Sequence, residues 1–241
     1  MLSNFFNTIL YQPLFNALVL LYEYLPGHDF GIAIILLTLL IKVLFYPLGT
    51  QAIRSQKTLS ELQPKIKEIQ NKYKDNKEAQ AKATMELYQE AKINPFSGCL
   101  PILIQLPILI ALYRVFWKGL IPEELVMLYP FVPSPGEISP YFLGIVDLAK
   151  ANTIFAILAG ALQFIQTKMA APKSDKSSRK ESQTGQFSDI LQKQSLYFFP
   201  FFTVIILFRL PAAIGLYWIA TTVFSILQQY LIFKKTKTEK L

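Results

Sequence analysis

The stretch FGIAIILLTLLIKVLFYPL, residues 30–48, carries one charge, Lys42, in an otherwise apolar run. A helix crosses a hydrocarbon core with about 20 mostly apolar residues, so this run reads as a membrane span. The remaining sequence has the same character. Of 241 residues, 52% are hydrophobic, 14% aromatic and only 17% charged, against about a quarter charged in a typical soluble domain.

Working outward, Cys99 to Trp117 is a second run, interrupted only by Arg114, and Ala151 to Thr167 a third. The stretch from Leu196 to Phe233 is too long for one crossing and holds Arg209 followed by Pro211, so it divides there into two. The predicted fold is all-α, a polytopic membrane protein with five transmembrane helices at about 30–48, 97–117, 151–168, 195–209 and 212–233. Some crossings are short: residues 196–208 span roughly 20 Å at about 1.5 Å per residue, against a hydrocarbon core of about 30 Å. A bundle built from such spans thins the bilayer around it or lets its ends snorkel.

The net charge of +8 would suggest nucleic acid in a soluble protein. Here its distribution suggests topology. Residues 49–94 carry nine Lys and Arg, residues 168–194 six, and the tail from Lys234 four, while Glu23, Asp29, Glu123, Glu124, Glu137 and Asp147 fall in the other connections. Cytoplasmic loops collect basic residues, which predicts the N-terminus outside and the C-terminus in the cytoplasm, as an odd number of spans requires. With one cysteine, Cys99, and one histidine, His28, there is no zinc-ligand cluster and no Cys/His or Ser/His nucleophile arrangement. No metal, cofactor or catalytic residue is expected.

No Lys or Arg precedes Lys42, which argues against a cleaved signal peptide. Residues 1–28 read instead as an outer amphipathic helix lying in the interface. Phe5, Phe6, Ile9 and Leu10 recur at helical spacing, Asn4, Asn7, Gln12 and Asn16 interrupt them, and Pro13 and Pro26 bound the second half. Residues 50–93 read as a cytoplasmic helical hairpin. Leu59, Leu62, Ile66, Ile69 and Tyr73 form a coiled-coil seam, Asp75-Asn76 a turn, and Ala81, Met85, Tyr88 and Ala91 the second arm, with Pro64 expected to begin or bend the first. Its basic residues form either a solvated face or a docking surface, for which Lys65, Lys67, Lys72 and Lys74 are the candidates. Residues 169–193 read as a flexible cytoplasmic loop.

Lys42 is the sharpest feature. A lysine within a span costs about 2.5–3.5 kcal/mol on insertion scales, so such residues usually face a bundle interior or a wet cavity; the alternative is snorkelling to nearby headgroups. Thr38, Gln105, Gln163, Gln166, Thr221, Thr222, Ser225 and Gln228 are further polar groups within the apolar runs and would turn inward for the same reason. Apart from one cation the set is uncharged and contains no acid. That suits a hydrophilic surface for polar or anionic segments better than a proton relay. Pro101 and Pro107 would loosen the second span around Gln105. Tyr217 and Trp218 suit interfacial anchors, the default for such aromatics, and Trp218 also joins the candidate groove set.

Four blocks, GIAIILLTLLIKVLFYPL from Gly31, LQPKIKEIQNKYKD from Leu62, NPFSGCLPILIQLPILIALY from Asn94 and LPAAIGLYWIATTVFSILQQYLI from Leu210, resemble the YidC/Oxa/Alb family of membrane protein insertases in order and spacing. The resemblance covers roughly residues 30–233 and implies a short form without the large periplasmic domain of some members. It implies a five-helix core, residues 29–241, around a hydrophilic groove open to cytoplasm and lipid and closed outside. The family's groove charge, usually arginine, falls at Lys42, which keeps the charge and loses the guanidinium fork. The implied activity is insertion of membrane proteins in the cell membrane, without covalent chemistry. The implied partners are nascent membrane proteins and lipids, with the ribosome, the Sec translocon and the signal recognition particle pathway as further candidates. A rival reading is a small secondary transporter or channel with Lys42 as its ion site. That reading predicts inverted repeats, and none is visible, because the hairpin pattern occurs once.

Overall fold

The computed structural model describes residues 5–91, 94, 100–118, 122–171 and 196–238, and these residues are predominantly helical. A short π-helix, Asn7–Tyr11, runs directly into α1, Gln12–Tyr24, with Pro13 just past the junction. Then come α2, Phe30–Leu44, α3, Tyr46–Lys72, α4, Lys77–Glu90, and α5, Leu100–Lys118. A 3-10 turn, Pro122–Met127, and a two-stranded hairpin of β1, Tyr141–Phe142, and β2, Val146–Asp147, precede α6, Thr153–Ala170. The last helices are α7, Leu196–Leu207, and α8, Ala212–Thr238.

Side-chain caps fix the starts of α2 and α6. The Asp29 carboxylate accepts from Ile32 N at 2.8 Å and Asn152 Oδ1 from Phe155 N at 3.1 Å. The first N–H groups of α8 reach the preceding loop, Ala212 N to Lys150 O at 2.8 Å and Ala213 N to Leu148 O at 3.0 Å.

The apolar run at 30–48 is two helices. Its first, α2, stops at Leu44; Phe45 takes a non-helical conformation (φ −92°, ψ 11°), and α3 departs at 69° with Pro47 in its first turn. Among the described residues, α6 and α8 are long and apolar enough to cross a membrane, and the bent α2–α3 pair makes a third candidate. The apolar part of α5, Gln105–Trp117, and α7 are shorter. At about 1.5 Å per residue, α7 is roughly 18 Å long. From residue 172 onward, the loop expected at 169–193 lies outside the described residues, as do residues 97–99 of the second run.

The core is built by α8 packing on α2, α3, α5 and α6. Ile34 and Leu37 of α2, Leu112 and Val115 of α5, Ala159 of α6 and Ile214 of α8 are buried in it. Two glycines permit close approach. A Cβ at Gly31 would fall on the Phe142 ring, and one at Gly160 on the Val204 side chain, with Pro200 O at 3.1 Å. Gly160→Val is therefore expected to lower stability by about 1–3 kcal/mol. Thermal unfolding in detergent would read this, and Val204→Ala should restore part of the loss.

The N-terminal helix belongs to this core. Phe15, Leu18 and Val19 of α1 are fully buried, and Asn7, Gln12 and Asn16, which interrupt the apolar pattern, are contacts, while Asn4 lies outside the described residues. Asn16 Nδ2 donates to Met127 O at 3.0 Å and Asn16 Oδ1 accepts from Tyr129 N at 2.6 Å; Gln12 Nε2 donates to Met127 O at 3.1 Å. Arg114 Nη1 donates to Asn7 Oδ1 at 2.8 Å, and its guanidinium lies 4.8 Å from the Tyr11 ring centre. Tyr11 donates to Glu124 Oε2 at 2.7 Å, and burial raises its hydroxyl well above the usual tyrosine range, keeping it a donor. Asn16→Ala would leave the Tyr129 N–H without its acceptor, at about 1–3 kcal/mol. Amide exchange at 127–129 should then accelerate while exchange in α6 stays unchanged.

The helical hairpin forms from α3 and α4. Asn76 Oδ1 caps α4 by accepting from Ala79 N at 3.0 Å. Leu59, Leu62, Ile66, Ile69 and Tyr73 are buried or half-buried, as the seam predicts. On the second arm the expected set divides: Tyr88 and Ala91 are half-buried, Ala81 and Met85 are exposed, and Ala83 and Leu87 are half-buried beside them. Pro64 does not begin α3, which starts at Tyr46 and runs through it.

Candidate functional site

Lys42 leaves α2 one turn beyond Thr38 and points at α8, where its Nζ donates to Ser225 Oγ at 3.3 Å. Ser225 Oγ in turn donates to Thr221 O at 2.8 Å, one turn earlier. On the same stretch of α8, Trp218 Nε1 donates to Gln163 Oε1 of α6 at 3.2 Å, and Gln105 Nε2 of α5 donates to the buried Tyr217 hydroxyl. One strip of α8 thus meets polar side chains from three other helices. Among the described residues no carboxylate pairs with Lys42, and the sequence places none in α2, α5, α6, α7 or α8.

The remaining residues of the predicted set divide. Thr38, at 1% exposure, donates to Ile34 O at 2.7 Å, and Thr222 donates to Trp218 O at 2.8 Å, so both hydroxyls are satisfied within their own helices. Gln166 is half-buried on α6. Gln228 lies at the α2–α3 bend. Its Nε2 donates to Tyr46 O and to Thr50 Oγ1, each at 3.0 Å, and the amide occupies the space a Cβ at Gly49 would approach to 3.2 Å. The same helix therefore holds Lys42 through Ser225 and the root of the hairpin through Gln228.

Tyr217 turns inward against Gln105, so its ring anchors no interface. Arg114, the charge that interrupts the second apolar run, ties α5 to the N-terminal helix. On the hairpin Lys65, Lys72 and Lys74 are exposed and Lys67 is half-buried. Lys72 lies over the Tyr73 ring at 5.4 Å, and Lys74 stands 4.0 Å from Asp75. Among the described residues no three His, Cys, Asp or Glu side chains gather as metal ligands.

A family model described as 60Kd inner membrane protein matches residues 20–240. The chain belongs to this family. Within the 60Kd inner membrane protein family it is 35% identical over 207 residues to the membrane protein insertase YidC of Fusobacterium nucleatum, covering 86% of this chain and 87% of that one. It is 35% identical over 226 residues to YidC of Syntrophus aciditrophicus and 33% over 228 residues to that of Geobacter metallireducens. Those alignments cover 93% and 94% of this chain but only 36% and 37% of the relatives, so the chain spans about a third of their length. Membership in the 60Kd inner membrane protein family, together with the apolar helices, indicates a multi-pass protein of the inner membrane. These relatives are all named membrane protein insertases.

Proposed function

We propose that the chain is a membrane protein insertase that carries hydrophilic segments of nascent membrane proteins into the bilayer along the polar strip of α8, with Lys42 as its electrostatic centre. The observation that carries this reading is the contact from Lys42 to Ser225 within a set of uncharged polar side chains that, among the described residues, includes no carboxylate partner. A cation left without an acid attracts an anionic segment, and amides and hydroxyls exchange hydrogen bonds with a passing chain.

A polar segment pays a large desolvation cost to enter about 30 Å of hydrocarbon. A wet strip part-way across shortens that path, and short helices such as α7 thin the bilayer beside it. The client's apolar helix then leaves sideways into lipid. In this reading the chain crosses the membrane five times, the groove opens to the cytoplasm and is closed outside, the N-terminus is outside, and the hairpin with its exposed lysines meets cytoplasmic partners. The ribosome, the Sec translocon and the signal recognition particle pathway are the candidates.

Photo-crosslinkers at Gln163 and Thr221 would test the path. With a ribosome-bound nascent single-span protein, both should give adducts at the stage when the client's polar segment enters. A crosslinker at the exposed Leu40 of α2 should give lipid adducts instead. Client adducts at Leu40 and none at Gln163 or Thr221 would sink the proposal.

A further inference from the structure

The β1–β2 hairpin ends in a turn whose composition contradicts its geometry. Ile145 N donates to Phe142 O at 3.0 Å, and both central residues have positive φ, Leu143 at 51° and Gly144 at 69°. This is the pattern of a type I′ turn, for which Asn-Gly is favoured because asparagine tolerates the left-handed region and leucine does not. The strained residue is apolar and bare. Leu143 is 60% exposed and Ile145 82%.

The turn cannot swing away to hide them. Leu143 N donates to Asp29 Oδ2 at 2.5 Å, the carboxylate that also caps α2. Phe142 fills the space above Gly31 and stands edge-on to Phe155 of α6, with ring centres 6.4 Å apart. The tip is therefore held at the level where α2 and α6 begin. Close to the Phe155 contact, the first turns of α6 also leave apolar side chains bare, Ile154 at 72% and Ile157 at 55% exposure. Those isoleucines lie on a helix long and apolar enough to cross the membrane, on its uncovered side.

We propose that Leu143 and Ile145 form a lipid-seated tip, inserted among the headgroups and upper acyl chains of the bilayer at the end of the bundle where α2, α6 and α8 begin. The proposal goes beyond insertion itself and does not depend on it. The occupant is lipid, because Asp29 and Phe155 fix the tip beside the start of α6, a helix long and apolar enough to cross the membrane whose Ile154 and Ile157 are bare at that same end. Two apolar side chains on a rigid turn are unfavourable in water and favourable in that interface.

The test attaches an environment-sensitive fluorophore to Ile145→Cys in a Cys99→Ser chain, in phosphatidylethanolamine/phosphatidylglycerol vesicles. Ser134→Cys, on an exposed outer loop, serves as the aqueous comparison. The label at 145 should be quenched several-fold more strongly by nitroxide-bearing lipid than by iodide, with the opposite ratio at 134. Adding Leu143→Asn gives the turn the residue its backbone favours while removing one apolar group. It should weaken lipid quenching at 145 without lowering thermal stability. Iodide quenching at 145 equal to that at 134 would overturn the proposal by placing the tip in water. Protection from both quenchers would overturn it by placing the tip against protein.

Discussion

Lys42→Glu is expected to reduce insertion of single-span clients with acidic leading segments roughly tenfold or more, while Lys42→Arg stays near the unmodified rate. Two unit charges about 6 Å apart at an effective dielectric of about 20 interact by about 3 kcal/mol, and reversing the sign turns that attraction into repulsion. No carboxylate in α2, α5, α6, α7 or α8 offsets the change, so the client bears it. Lys42→Ala should fall between the two, because the neighbouring amides and hydroxyls still solvate a polar segment. Clients with neutral leading segments should respond weakly to all three. Protease protection of inserted clients in proteoliposomes reads the series. Equal insertion by Lys42→Ala, Lys42→Glu and the unmodified chain would remove Lys42 from the mechanism.

Gly49→Val has the second large effect, at the root of the hairpin. A Cβ there already meets the Gln228 amide at 3.2 Å, so a branched side chain displaces that amide from both Tyr46 O and Thr50 Oγ1. The steric misfit costs about 1–3 kcal/mol, and each lost hydrogen bond about 1 kcal/mol more. The hairpin should then sample a wider range of angles about the Phe45 bend. Spin labels on Thr84 and Tyr230 should show a broadened distance distribution, and delivery of ribosome-bound clients should drop severalfold. Gly49→Ala should cost less, because the amide is the end of a flexible chain. An unchanged distance distribution in Gly49→Val would mean that Gln228 does not hold the hairpin.

Much of this was readable from residue order. Long apolar runs and a 3-4 seam are local signals, and they placed α6, α8 and the first arm of the hairpin. Lys42 stood out for the same reason, as one cation in an apolar run. What local pattern could not carry was partnership over distance. Asn7, Gln12 and Asn16 read as interruptions of an interfacial helix, yet their partners at Arg114, Met127 and Tyr129 lie more than a hundred positions away. The bend inside residues 30–48 was signalled by Pro47, which suits the first turn of a new helix, but the unbroken apolar run masked it. On the second arm the apolar residues are too sparse for periodicity to fix the covered face, so of the expected four only Tyr88 and Ala91 are covered.

The position of α8 in the chain also bears on how the protein is made. Lys42 and Ser225 are 183 residues apart and Gln228 and Tyr46 182, so neither contact exists until the ribosome has nearly finished the described chain. Until then α2, α5 and α6 lack the helix that joins them, and Lys42, Gln105 and Gln163 lack their α8 partners. Biogenesis therefore has a late, all-at-once closing step. A pause or truncation before residue 212 should yield a chain that reaches the membrane yet remains an open, protease-sensitive intermediate, prone to hold its own unfinished helices.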